Sequence, residues 1–117
     1  MLNQYEVPAM LADELPEIKD SLKAPMIIGD ILKTIQVFTD YTERMLRGHN
    51  IAIVSKCMSV ADHIYTRGNT AVKNAIENIF IFSFSAMRSV CGREEWKLVQ
   101  AKTPVTLYST YIRQVCS

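Results

Sequence analysis

Residues 72–90 read VKNAIENIFIFSFSAMRSV, and the way this stretch winds decides what kind of molecule the chain makes. At about 100° per residue, Val72, Ala75, Ile76, Ile79, Phe80, Phe82, Ala86, Met87 and Val90 fall on one arc, roughly 160° wide at helical spacing. Lys73, Asn74, Glu77, Asn78, Ser85 and Arg88 take the opposite arc. The stretch therefore reads as an amphipathic helix with a wide buried face. It is too short for a membrane anchor. The charge-free run covers only 78–87, against the roughly 20 residues a span needs. Two residues break the pattern. Ile81 and Phe84 fall on the polar arc, nearly one turn apart. Either a C-terminal helix lies over them, or they form a dimer or partner interface.

The flanking sequence is helical too. DILKTIQVFTDYTERMLR puts Ile31, Leu32, Ile35, Phe38, Tyr41, Met45 and Leu46 on one side, with Asp30 as N-cap and Gly48 as C-terminal cap. Asp40–Arg44 and Glu43–Arg47 are acid-first pairs four residues apart, the better orientation. A further helix, IAIVSKCMSVADHIYTR, follows Asn50, and Asn69 caps the next. RGHN and RGNT are two similar turns, each short enough to set neighbouring helices antiparallel. Upstream, Pro8 and Pro16 bound a short helix and a restart at LPEIKDSLK, and APMIIG connects it to the body. Downstream, GREEWKLVQAK reads as a short helix with Trp96 packing inward. TPVTLYSTYIRQV then starts with Thr103 as N-cap, and carries Leu107, Tyr108, Tyr111, Ile112 and Val115 on one face. The expected fold is all-α. It has about five helices, in an antiparallel bundle or a short helical-repeat-like stack. It forms one domain over 1–117, with an acidic arm at 1–28 and the helical body at 29–117.

A chain of 117 residues that is 49% hydrophobic and 21% charged can build one core without staples. Its net charge of +1 gives no global pull toward nucleic acid or anionic lipid. The charge is uneven: residues 1–30 hold six acids against two lysines, and the remainder eleven bases against six acids. Cys57, Cys91 and Cys116 are odd in number and widely spaced, which fits reduced thiols in a cytoplasmic protein. MLNQYEVPAM lacks the features of a signal peptide.

Chemistry is hard to find. The histidines are His49, in a turn, and His63, on a polar face, and no metal-ligand spacing occurs. Cys91, at a helix end beside Gly92 and Arg93, is the thiol best placed for reactivity, but no histidine base is close in sequence. Glu17–Asp20 and Glu94–Glu95 lie at helix starts, where acids favour the dipole. No glycine run cradles a phosphate. No catalytic residue, metal or cofactor is expected.

LPEIKDSL, IIGDILKTI, RGNTAVKNAIENIFIFSFS and PVTLYSTYIRQV together resemble an uncharacterised family of small all-helical bacterial proteins, over roughly residues 5–115. The resemblance implies an all-helical cytosolic domain with no assigned activity, and it transfers no catalytic residue. The reading that follows is a non-enzymatic protein-binding module, of immunity or adaptor type, with a protein partner or a second copy as its ligand. Its candidate interface is Ile81, Phe84, Tyr108 and Tyr111. A small-ligand or enzymatic pocket using Tyr41, Tyr65, Tyr108 or Tyr111 is the alternative. DNA binding through Lys56, Ser59, His63 and Arg67 is a third.

Overall fold

A computed structural model of the chain describes residues 1–116. Its helices are α1 (Glu6–Glu14), α2 (Lys19–Leu22), α3 (Ile31–Arg47), α4 (Ile51–Arg67), α5 (Thr70–Ala75), α6 (Phe84–Lys102) and α7 (Val105–Cys116). A 3-10 turn (Pro16–Ile18) precedes α2, and a π turn (Ile76–Ile81) joins α5 to α6. Among the described residues the fold is all-α, with seven α-helical segments rather than about five. Leu15–Pro16 divides the N-terminal part, because proline has no N–H to continue a helix. The π turn divides 70–91.

Three helix starts follow directly from the sequence. Asp30, Asn50 and Asn69 each accept a hydrogen bond from the N–H three residues on, at Lys33, Ile53 and Val72. Each such cap is worth about 1 kcal/mol over alanine. The end of α3 departs from expectation. Gly48 has φ −84°, and His49 takes the left-handed conformation at φ 60°. The N–H groups of His49 and Asn50 then donate to the carbonyls of Leu46 and Met45 at 3.0 and 2.9 Å, closing the last turn. Neither acid-first pair on α3 forms. Asp40 accepts from the Gln36 amide at 2.8 Å, and the Arg44 guanidinium lies over the Tyr41 ring.

α3 sits at the centre, touching α1, α2, α4, α5, α6 and the π turn. It is therefore buried on more than its apolar stripe. Thr34, Thr39 and Thr42 are buried too, and each hydroxyl donates to the carbonyl four residues back at 2.8–2.9 Å. Leu32, expected inside, is 54% exposed. The acidic arm belongs to the same core. Val7, Leu11, Leu15, Ile18 and Leu22 are buried in one cluster with the rest. Leu2 clamps the α4–α5 turn, donating to Arg67 O at 2.7 Å and accepting from Asn69 N at 2.8 Å.

The π turn sets the register of everything after it. An α-helix would carry its buried stripe from Val72, Ile76 and Phe80 on to Ser83 and Met87. A π turn bonds five residues apart instead of four, and the buried stripe here runs through Ile81 and Phe84, in place of Ser83, to Met87. Ile81 and Phe84 are fully buried, and Phe82, placed on the buried arc by a regular helical wheel, is 72% exposed. The proposed interface role of Ile81 and Phe84 is thereby overturned: both are core. Phe84 lies against Trp96 and Tyr111, with ring centroids at 5.8 and 5.4 Å. The C-terminal segments are its cover.

The irregular backbone is satisfied from both sides. The Ser83 hydroxyl donates to Phe80 O at 2.6 Å, and the Gln114 amide of α7 donates to Glu77 O at 2.9 Å. Further on, Gly92 (φ 81°, ψ 173°) kinks α6 and redirects Trp96 and Val99 into the core.

The register shift has a measurable signature in urea melts. Phe82→Ser is expected to change stability by no more than about 0.5 kcal/mol, whereas Phe84→Ala costs about 3–5 and Ile81→Ala about 2–5 kcal/mol. A larger loss at 82 than at 84 would mean a regular helix. Gly92→Ala is expected to cost about 1–3 kcal/mol through backbone strain alone, since an added Cβ would meet nothing within 4 Å.

Candidate docking surface

α7 carries two apolar stripes. Leu107, Thr110 and Tyr111 face inward and are buried. The Tyr111 hydroxyl is 3.0 Å from Ser85 Oγ, so this phenol is committed to α6. The second stripe is Val105, Tyr108, Ile112 and Val115, spaced 3-4-3 along the helix. Val105 is 79%, Ile112 42% and Val115 52% exposed, and Tyr108 is half-buried against Tyr111. A 3-4-3 apolar spacing is the seam by which one helix packs along another. Three of its four residues are thus exposed.

Two grooves meet at Tyr108 and Gln100. One, of about 370 Å³, is lined by Thr103, Val105, Ser109 and Ile112 besides these two. The other, of about 270 Å³, adds Arg88, Arg93, Trp96 and Lys97. Among the described residues neither Arg88 nor Arg93 has a carboxylate within 4.0 Å, while Lys97 reaches Glu94 at 3.7 Å across an exposed pair. The apolar seam thus has a basic shoulder. The Trp96 indole N–H, in the wall of that shoulder, is buried with no acceptor among the described residues, a state that costs about 1–3 kcal/mol.

Of the four interface candidates, only Tyr108 lies on this surface; Ile81, Phe84 and Tyr111 are interior. The tyrosines do not converge on one pocket either. Tyr41 is buried beside α3's own Arg44, and the Tyr65 hydroxyl donates to Glu77 Oε1 at 2.5 Å. Burial, reinforced by Glu77, raises the Tyr65 pKa above the usual phenol value. Thr103 does not cap α7 as expected: its hydroxyl donates backward to Val99 O at 2.8 Å. The α4 face of Lys56, Ser59, His63 and Arg67 shares its grooves with Glu6 and Glu14 of α1, so it carries mixed charge. Among the described residues no group of three or more His, Cys, Asp and Glu side chains is placed to hold a metal ion, and no helix is long and apolar enough to cross a membrane.

Cys91 also departs from its expected chemistry. Burial, and then the neighbouring Glu95, pushes its pKa up rather than down. Glu95 Oε2 itself lies 2.8 Å from His49 Nδ1, within hydrogen-bond distance. Cys57 is pushed up by burial to about 11.

The seam on α7 left no sequence signal that a helical wheel separates from the core stripe, because both are apolar and lie side by side. Residues 8–117 match the family described as Domain of unknown function (DUF7674), and the chain belongs to that family. No curated protein and no solved structure matches it.

The thiols give a direct check of these environments. With iodoacetamide at pH 8, mass spectrometry should find Cys116, which is exposed, alkylated first, Cys91 more slowly, and Cys57 only on unfolding. Raised folded pKa values also fix a sign. The Cys57 thiol stabilises the fold fully below the ordinary thiol range, and that contribution is lost as pH climbs toward about 11. Fast labelling of Cys57 in the native protein would contradict the core placement.

Proposed function

We propose that this member of the DUF7674 family is a non-enzymatic protein-binding module, of the adaptor or immunity type, and that α7 with the second half of α6 is its docking surface. The observation that carries the reading is the exposed 3-4-3 stripe Val105, Tyr108, Ile112 and Val115 beside Arg88 and Arg93. Stripe and shoulder define the ligand's chemistry. An amphipathic helix laid along α7 would bury its apolar residues on the seam and set acids against the arginines. α7 has 12 residues, about 18 Å of helix, so the complementary segment is about three turns long. Homodimerisation through the same seam would bring two basic shoulders together, which favours a different, acidic partner.

The test is site-directed photocrosslinking in the native host. A benzoylphenylalanine at Ile112 is expected to trap one discrete protein partner, and the same probe at Lys56 on α4 to trap none. Val105→Lys with Val115→Lys, at exposed positions, should leave the melting temperature within a few degrees and abolish the crosslink. A crosslink to a second copy of the chain would replace the acidic partner by a dimer. Absence of any crosslink at 112, or the same product from both probe sites, would sink the reading.

A further inference from the structure

A second concave surface lies on the N-terminal side, away from α7. It is a groove of about 290 Å³ between α1, α2 and the 23–30 connector. Along α1 it is lined by Tyr5, Pro8, Ala9 and Ala12, spaced so that they share one face of the helix. Small side chains at 8, 9 and 12 leave the space that a leucine or phenylalanine would fill. Leu22 contributes a floor that is only 3% exposed, and Ile28 forms a lip. One wall is fixed by a close approach. Gly29, at φ 81°, lets the Tyr5 ring come so near that an added Cβ would lie 3.2 Å from Tyr5 Cε1.

The charges at this groove are as selective as its walls. Among the described residues its only charged lining residues are Lys19 and Lys23. They stand four residues apart, at the start of α2 and just past its end, a spacing that like charges disfavour. The arm holds Asp13, Glu14, Glu17 and Asp20 nearby, yet among the described residues neither lysine has a carboxylate within 4.0 Å. Tyr5 and Ile28, at the mouth, are 67% and 63% exposed. One occupant accounts for all of this: an apolar chain that covers the exposed mouth and an anionic end that relieves the lysine pair.

We propose that this groove binds a single-chain anionic amphiphile, a straight-chain alkyl carboxylate. Its tail lies along Pro8, Ala9, Ala12 and Ile28, and its carboxylate sits between the Lys19 and Lys23 ammonium groups. The narrow groove takes one extended chain, and the lysine pair excludes a cationic head group. The site is independent of the α7 surface and does not rest on the partner reading.

Calorimetric titration of the full chain with dodecanoate, below its micellar concentration, tests the site. Binding is expected at one ligand per chain, with a rise in melting temperature, while dodecyltrimethylammonium at the same concentrations does not bind. Lys19→Glu with Lys23→Glu, both at exposed positions, should weaken dodecanoate binding at least tenfold. Ala9→Trp, also at an exposed position, should block the groove while circular dichroism stays helical. It decides the matter if the charge-reversed variant does not fold. Val105→Lys with Val115→Lys should bind dodecanoate as the parent does, which keeps this test separate from that of the docking surface. The proposal is overturned if dodecanoate does not bind, if the cationic amphiphile binds equally well, or if neither lysine reversal nor Ala9→Trp changes the affinity. Binding of an acidic amphipathic peptide in place of dodecanoate would also overturn it.

Discussion

The stacking of Phe38 on Phe80 is the contact on which the rest of the molecule depends. The two rings lie within 5° of parallel at a centroid distance of 4.8 Å, in the range of offset stacking. They join the central helix α3 to the π turn and hold the extra residue of that turn in place. With Phe80 fixed there, the chain can only continue with Ile81 and Phe84 pointing inward. Phe84 meets Phe80 edge-on, then Trp96 and Tyr111, and Tyr111 meets Tyr108. One line of rings runs from the core to the surface of α7. A turn that is locally less regular than an α-helix is thus kept because it lets two further segments dock. The Gln114 amide that reaches Glu77 O completes the exchange, since a buried carbonyl left without a donor is costly.

That arrangement also explains why α7 leaves a face open. Its inner stripe is used to cover Phe84 and the π turn. The neighbouring stripe, rotated by about a third of a turn, stays largely exposed among the described residues. The cations of α6 stand beside it, while the acids of the arm are exposed on the N-terminal segments. Two surfaces each have an apolar feature beside basic residues: a helical seam with arginines, and a small groove with two lysines.

Positive φ angles occur at three places among the described residues. His49 at φ 60° closes α3, Gly29 admits Tyr5, and Gly92 bends α6. Each serves packing or a turn. The titratable groups tell a similar story. Cys57 and Cys91 are driven toward their neutral forms by burial, and Tyr65 is paired with Glu77. Nothing in their surroundings activates a nucleophile.

Local signals were legible in the sequence. Asp30, Asn50 and Asn69 cap helices because a short side-chain oxygen can reach an N–H three residues on, whatever lies around it. Pro16 and Gly92 break helices for equally local reasons. Helical spacing named most of the core and the all-α class. Three of the residues it misplaced share one cause. Ile81, Phe82 and Phe84 were assigned with a fixed 100° step, and the π turn changes that step within a single turn. No residue type announces a π turn; it is chosen by the fit of Phe80 on Phe38, between segments 42 positions apart in sequence. The same holds for α7, where Tyr108 and Tyr111 look alike on a wheel, and only the position of Phe84 decides which is buried. The sequence by itself determined the helix starts at Asp30, Asn50 and Asn69, because those are contests between neighbours. Which faces became core and which stayed open was decided only by tertiary structure, because that depends on what a distant helix brings to cover them.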